Sequence, residues 1–324
     1  MPIINDPAEI GDDLVRGSSL TIGNFDGVHQ GHNHLLRVVM DRAAEHGLTS
    51  LALTFDPHPL RVIRGHTPPF ITPIQQKLAL LKAQGLDYVL CLEFTREMAK
   101  LSPEEFVERY LVRALSCRHL VIGHDYTFGR GGMGNYDTLL ELGEKYGFST
   151  ERIEALTING EVVSSTRIRE LIQQGRVDEA KPLLGRDFQV EGTVVEGSRR
   201  GGPILNVPTA NLEVSDELVP KPGVYAVRAE HKGVSLPGVA NVGHNPTFNQ
   251  QALSVEVHLF DFSGDIYGEH LRVAFVSRLR GEIRFSGVEE LKEQIHRDIQ
   301  EGKRLLLEDG PDDEPNGGGS YAAE

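Results

Sequence analysis

The strongest chemical signal in the chain is a pair of imidazoles three residues apart on a glycine turn. The run Gly23-Asn24-Phe25-Asp26-Gly27-Val28-His29-Gln30-Gly31-His32 follows an apolar segment of strand length and opens a helix-like one. In an open α/β sheet this junction, at the carboxyl end of a strand, is where ligands bind. The three glycines let backbone approach a phosphate closely, and a helix N-terminus turns free N–H groups toward an anion. His29 and His32 can then reach one phosphoryl group and donate hydrogen bonds to the charge developing on it. That is electrostatic catalysis without a protein nucleophile. Two plainer readings exist: a glycine turn with two surface histidines, or a zinc site using His29, His32 and His34. No Cys or acidic cluster at ligand spacing completes the second.

A second constellation is Ser164-Ser165-Thr166-Arg167-Ile168-Arg169. A Ser or Thr can cap the helix that starts here, and Arg169 lies three residues past Thr166 on the same helix side. Hydroxyls, free N–H groups and a guanidinium then converge on an anionic ligand. A capped surface helix is the simpler reading of the same residues.

These motifs need a scaffold, and the first half of the chain supplies one by alternating two periodicities. Apolar runs of strand length occupy 19–25, 50–55, 88–94 and 119–125; helix-like stretches fill 32–47, 73–85, 102–115, 136–147 and 164–175. Ser102-Pro103-Glu104-Glu105 is a helix start, and Gly47, Gly85 and Gly147 stand where C-caps fall. Near-continuous apolar strands alternating with helices predict a parallel sheet covered on both faces. A shorter helix around 178–184 leads out of this domain. From about Arg186 strands dominate, at 187–197, 223–233, 236–243, 253–265 and 270–280, separated by Gly/Pro turns, which predicts an antiparallel β-barrel. In 253–260, Leu253, Val255, Val257 and Leu259 share one face, and Ser254, Glu256, His258 and Phe260 the other. A terminal helix carries Val288, Leu291, Ile295 and Ile299 on one stripe. The expected domains are 1–185, 186–308 and a disordered acidic tail at 309–324.

Composition narrows the function. The chain has 324 residues, 33 Lys+Arg against 47 Asp+Glu, a formal charge of −14, and 39% hydrophobic residues. That length suits two domains and the composition excludes global disorder. The acidic balance argues against a nucleic-acid partner. No apolar run approaches the ~18–20 residues of a membrane span, and the acidic start is not a signal peptide. The two cysteines, Cys91 and Cys117, cannot make a disulfide framework, so the expected compartment is the cytoplasm.

The glycine turn followed by S-S-T-x-x-R on one α/β frame resembles the nucleotidyltransferase superfamily. Thr54-Phe55-Asp56-Pro57-His58-Pro59 and Ile122-Gly123-His124-Asp125-Tyr126-Thr127-Phe128-Gly129 extend that likeness. Pro208-Thr209-Ala210-Asn211, the segment 238–243, Asn245-Pro246-Thr247-Phe248 and Glu256-Val257-His258-Leu259-Phe260-Asp261-Phe262 carry it into the barrel. Taken together, about residues 15–305 resemble the bifunctional prokaryotic riboflavin kinase/FMN adenylyltransferase (FAD synthetase) family.

The resemblance implies an α/β nucleotidyltransferase domain followed by a flavokinase barrel. It implies ATP, riboflavin, FMN and FAD as substrates and products, and Mg²⁺ as cofactor. In the first domain FMN is adenylylated to FAD with release of pyrophosphate. His29 and His32 stabilise the transition state there. Ser165, Thr166 and Arg169 hold ATP phosphates, and Gly23, Asn24, Phe25, Asp26, Gly31, His58 and Asp125 lie about the nucleotide or flavin. In the second, Thr209 and Asn211 bind Mg²⁺, Glu256 is the general base, and Gly197, Arg199 and Gly201 belong to a phosphate loop. That loop departs from the family's G-x-x-x-G-R-x-L-G-F-P-T-A-N: it has one extra residue, and Gly202 stands for an Arg. Two alternatives remain open from sequence: an FMN adenylyltransferase whose barrel binds flavin without kinase activity, and a class I aminoacyl-tRNA synthetase relative. The latter lacks a K-M-S-K-S-like loop. Partners are small molecules, with neither nucleic acid nor membrane; oligomeric state is not legible.

Overall fold

A computed structural model describes residues 2–195, 207–214, 217–244 and 253–308. Gly197, Arg199 and Gly201, the segment 245–248 and the tail 309–324 lie outside the described residues. Contacts divide the chain into two compact units, one of residues 1–170, 181–186 and 216–218, the other of 171–180, 187–215 and 219–324.

The first unit is built on a six-stranded sheet. Its strands are β1 (Ile3–Ile4), β2 (Ser18–Ile22), β3 (Thr49–Asp56), β4 (Tyr88–Glu93), β5 (Cys117–Gly123) and β6 (Ser149–Ile153), in the spatial order β1-β4-β3-β2-β5-β6. Every pair is parallel. Alternate residues of each strand enter opposite cores, as the pleat requires. Leu20, Leu51, Leu53, Leu90 and Leu120 pack on one face, while Ala52, Val89, Cys91 and Val121 pack on the other. Helix α1 (Gln30–His46) covers the second face through Leu36 and Val39, and α3 (Ile74–Lys82) through Leu78 and Leu81. Each such side chain contributes about 1.5–3 kcal/mol by leaving water. A short α2 (Pro59–Arg64) follows β3. α4 (Pro103–Phe106) starts at the predicted Ser102 cap, which Glu105 completes as a capping box, and runs on as a π-helical stretch at Val107–Ala114. Helix α5 (Tyr136–Tyr146) is closed by Gly147.

Two predictions shift. The strand expected over 19–25 stops at Ile22, because Gly23 begins a turn in which Phe25 and Val28 have φ of 50° and 37°. The sheet also gains β1 and β6, too short or too polar to stand out. Beyond β6 come a two-stranded ribbon, β7 (Thr157–Ile158) and β8 (Glu161–Val162), then α6 (Ser165–Gln174) and α7 (Val177–Leu184).

The second unit is a closed antiparallel barrel in the order β10-β13-β12-β11-β14-β9. Its strands are β9 (Phe188–Val195), β10 (Ala210–Glu213), β11 (Gly223–His231), β12 (Val234–His244), β13 (Leu253–Leu259) and β14 (His270–Arg280). Closure removes every free edge. Val255, Val257 and Leu259 are buried on one side of β13, as the alternation predicts. The terminal helix α8 (Val288–Glu308) packs outside, where Leu306 and the part-buried Ile299 meet Val224, Ala226, Val239 and Val276. The predicted stripe is met in part: Leu291, Ile295 and Ile299 are part-buried, Val288 is exposed, and burial is deepest at Asp298 and Leu306. Asp298 is drawn inward because Arg280 pairs with it at 2.8 Å.

Candidate active sites

The glycine turn leaves β2 at the point where the sheet order reverses. From β2 the chain builds β3 and β4 on one side, then crosses to β5 on the other, which opens a crevice at the carboxyl ends. His29 is the N-cap of α1, and here the capping box is made of two histidines. His32 N–H donates to His29 Nδ1, and His29 N–H donates to His32 Nδ1, both at 3.3 Å. The rings stack with centroids 3.6 Å apart and 13° between planes, and the Phe25 ring meets His32 edge-on at 5.2 Å. Because each Nδ1 accepts a backbone N–H, each neutral ring carries its proton on Nε2 and presents a donor. Burial, with the Arg186 charge nearby, lowers the His29 pKa to about 4. Burial and the charges of His29, Lys77 and Arg186 hold His32 well below the ordinary imidazole range. At neutral pH the pair is uncharged.

Glycine matters twice in this turn. Gly27 has φ +88°, and a Cβ at Gly31 would sit 3.2 Å from the His29 ring and 3.6 Å from the Val163 carbonyl. That proximity brings the start of α1 close to the start of α6. Ser164 caps α6, accepting Arg167 N–H at 3.2 Å, and Ser165 donates its hydroxyl to the Asp26 carbonyl at 2.8 Å. Thr166 is exposed in the first turn. Two helix N-termini therefore lie beside one turn, each with N–H groups that have no intrahelical partner.

Asp26, 8% exposed, is a bracket inside the protein. Its Oδ1 accepts the N–H groups of Ile71 and Thr72 at 3.0 and 3.1 Å, and its Oδ2 accepts Arg169 Nη2 at 2.8 Å. Burial raises its pKa, against the pull of the Thr72 N–H and Arg169. Arg169 also donates Nε to the Pro69 carbonyl at 3.1 Å, so its guanidinium is held on two sides. Thr72 Oγ1 accepts Gly27 N–H at 2.9 Å.

His58 caps α2 through Nδ1 and Leu60 N–H at 3.1 Å, and burial lowers its pKa to about 4. Asn24 and Asp125 are exposed, Asp125 just past β5.

Two buried cations went unnoticed in the sequence. Arg186 donates to the carbonyls of Gly27 at 2.7 Å and Val28 at 3.2 Å, and burial lowers its pKa to about 10. Lys77 donates to the Asn24 and Phe55 carbonyls and to Thr54 Oγ1. Lys77 left a trace in sequence, since it interrupts the apolar stripe Ile74-Leu78-Leu81. Arg186 left none.

In the barrel, three polar residues stand in register on neighbouring strands. Glu256 of β13 pairs with Asn211 of β10 on one side and with Asn241 of β12 on the other. Directly paired residues share a face, here the one opposite Val255 and Val257. Glu256 has no hydrogen bond to a described residue, and burial raises its pKa above 4.5. Asn211 is 9% exposed, and its buried Oδ1 has no partner among the described residues. His258, next on the same face, donates Nδ1 to the Pro208 carbonyl at 2.9 Å, just before the exposed Thr209.

Residues 12–167 match the family model for FAD synthetase, and residues 184–306 match that for riboflavin kinase. The chain belongs to the bifunctional riboflavin kinase/FMN adenylyltransferase family. A relative of that name from Pseudomonas fluorescens is 39% identical, over 90% of this chain and 93% of its own. One from Bacillus subtilis is 37% identical, over 89% and 92%, and one from Escherichia coli K12 is 38% identical, over 87% and 90%. A Streptococcus pneumoniae crystal structure described as a macrolide-efflux protein superposes with a TM-score of 0.82 at 32% identity, covering 94% of this chain and 99% of that one. Among the described residues of this chain, no helix is long and apolar enough to cross a membrane. The presence of both family domains favours two activities over the single-activity alternative.

Proposed function

We infer that the chain performs two ATP-dependent transfers on one flavin: riboflavin to FMN on the barrel, then FMN to FAD on the glycine turn. The observation that carries the second step is the stacked histidine box beside two helix N-termini. In that step an FMN phosphate oxygen attacks the α-phosphorus of ATP, and the bond to pyrophosphate breaks. The nucleophile is already an anion and needs no base. The site accordingly offers neutral Nε2–H donors from His29 and His32 for the phosphoryl oxygens on which charge develops. Free N–H groups of α1 and α6, the Thr166 hydroxyl and Arg169 bind the remaining phosphate charge. Asp26 and Ser165 act through others: Asp26 aims Arg169, and Ser165 ties α6 to the turn. Asn24, His58 and Asp125 line the approach for nucleotide or flavin.

On the barrel, a riboflavin hydroxyl attacks the γ-phosphorus of ATP, and the bond to ADP breaks. The hydroxyl proton passes to Glu256, whose partly desolvated carboxylate, with no hydrogen bond among the described residues, suits a general base. The orphaned Asn211 Oδ1 and the Thr209 hydroxyl fit Mg²⁺, which takes hard oxygen ligands and keeps phosphates and water in its shell. When bound there, Mg²⁺ neutralises phosphate charge. Two free, buried cysteines support a reducing compartment, the cytoplasm.

The test is direct. Purified protein incubated with riboflavin, ATP and Mg²⁺ should yield FMN and then FAD on chromatography. Formation of neither product would overturn the reading.

A further inference from the structure

One buried ammonium joins the carboxyl ends of β2 and β3. Lys77 is 6% exposed. Its Nζ lies 3.2 Å from the Asn24 carbonyl, 3.1 Å from Thr54 Oγ1 and 3.3 Å from the Phe55 carbonyl. Three donors meet three acceptors, which leaves none for a substrate. Lys77 makes no ion pair with a described residue, and burial lowers its pKa. A buried cation held only by neutral oxygens is costly, and an apolar side chain of the same length would fill the site more cheaply. Packing therefore does not account for a lysine here.

The acceptors do. Asn24 opens the strained stretch in which Phe25, Gly27 and Val28 all have positive φ. Such backbone persists only where its surroundings over-determine it. Arg186 holds the far end of the stretch by the Gly27 and Val28 carbonyls. Lys77 holds the near end.

We propose that Lys77 is a positioning residue for adenylyl transfer, clamping Asn24 to the end of β3 so that the turn presents His29 and His32 to the nucleotide in one fixed geometry. The proposal rests on the adenylyltransferase reading of the turn. Lys77 also adds positive charge to the surroundings of His32, alongside Arg186 from the segment after α7. Asp26 of the turn and Asp56 at the end of β3 bear on Lys77 with the opposite sign, Cys91 of β4 faces it as a thiol whose pKa burial raises, and His58 before α2 feels both Lys77 and Arg169. Loss of the Lys77 charge should therefore ease protonation of His32. Since the uncharged pair is the working form, the acid limb of the rate profile should move to higher pH.

The experiment measures FMN adenylylation by Lys77→Met and Thr54→Val against pH. Circular dichroism and denaturant unfolding of the same protein report folding, riboflavin phosphorylation on the barrel reports that the second unit is intact, and His32→Ala serves as reference. For Lys77→Met, kcat should fall about 10–100-fold, the scale of a small misplacement of reacting groups. KM for ATP should stay near the parental value, and the acid limb should shift upward. Thr54→Val, which removes one acceptor and keeps the charge, should lower kcat less and leave the acid limb in place. Parental kcat in Lys77→Met, a change confined to KM, or an unmoved acid limb overturns the proposal. If Lys77→Met does not fold, Thr54→Val decides, and parental kcat there overturns it. A His32→Ala protein that adenylylates at the parental rate overturns the site reading instead.

Discussion

The turn at the end of β2 and the face of β13, the two proposed ATP sites, are built in opposite ways. Around the turn every carboxylate oxygen of Asp26 is already bonded, and the two histidines are neutral and interlocked. On the barrel, Glu256 is unbonded among the described residues and beside it Asn211 keeps an orphaned oxygen. The difference fits the two nucleophiles of the proposed reactions. A phosphate arrives as an anion and asks only for donors; an alcohol must lose a proton and asks for a base. A site that needs no base can spend its acid on scaffolding.

That contrast can be broken at either end. The largest effect expected is for Glu256→Gln, which keeps shape but cannot take a proton. Riboflavin phosphorylation should fall by ~10²–10⁴ while FMN adenylylation is unchanged. Separate assays of the two steps check this, and a variant retaining most phosphorylation would place the base elsewhere. Next is His32→Ala, expected to lower adenylylation by ~10²–10³ and leave phosphorylation intact.

Asp26→Asn sharpens the idea of a scaffolding acid. Removing one partner of a buried pair costs about 3–5 kcal/mol, and the lower end applies because Arg169 keeps 16% side-chain exposure. Denaturant unfolding should show that loss, together with a raised KM for ATP in adenylylation alone. The smallest expected effect is on pH profiles. As the proposed base Glu256 must be ionised, so phosphorylation should fall as pH drops through its raised pKa, above 4.5. Adenylylation needs neutral imidazoles and should persist down to about 4, where His29 protonates. Coincident acid limbs would remove the distinction.

The sequence showed what is periodic and local. The alternation of β13 set Glu256 opposite Val255 and Val257, and the glycine turn placed His29 and His32 together. What it hid is what the fold brings from afar. Arg169 reaches Asp26 across 143 positions, and Arg186 reaches Gly27 across 159. Neither partner changes a local pattern. Lys77 did change one, as a cation within the apolar face of α3, and burial gives that irregularity its meaning. Asp298 is the converse case: a polar residue on the buried face of α8, paid for by Arg280 and legible only once β14 lies alongside.

The Arg186 contacts bear on the making of the protein. A ribosome adds ~5–20 residues per second, so the 159 positions from Gly27 to Arg186 take on the order of ten seconds to emerge. Throughout that interval the nascent turn lacks the guanidinium that gathers its carbonyls, and for most of it the α6 start at Ser165 as well. The turn's final geometry is thereby deferred until Arg186 has been made, and a chain truncated before Arg186 should emerge with the anion cradle unformed.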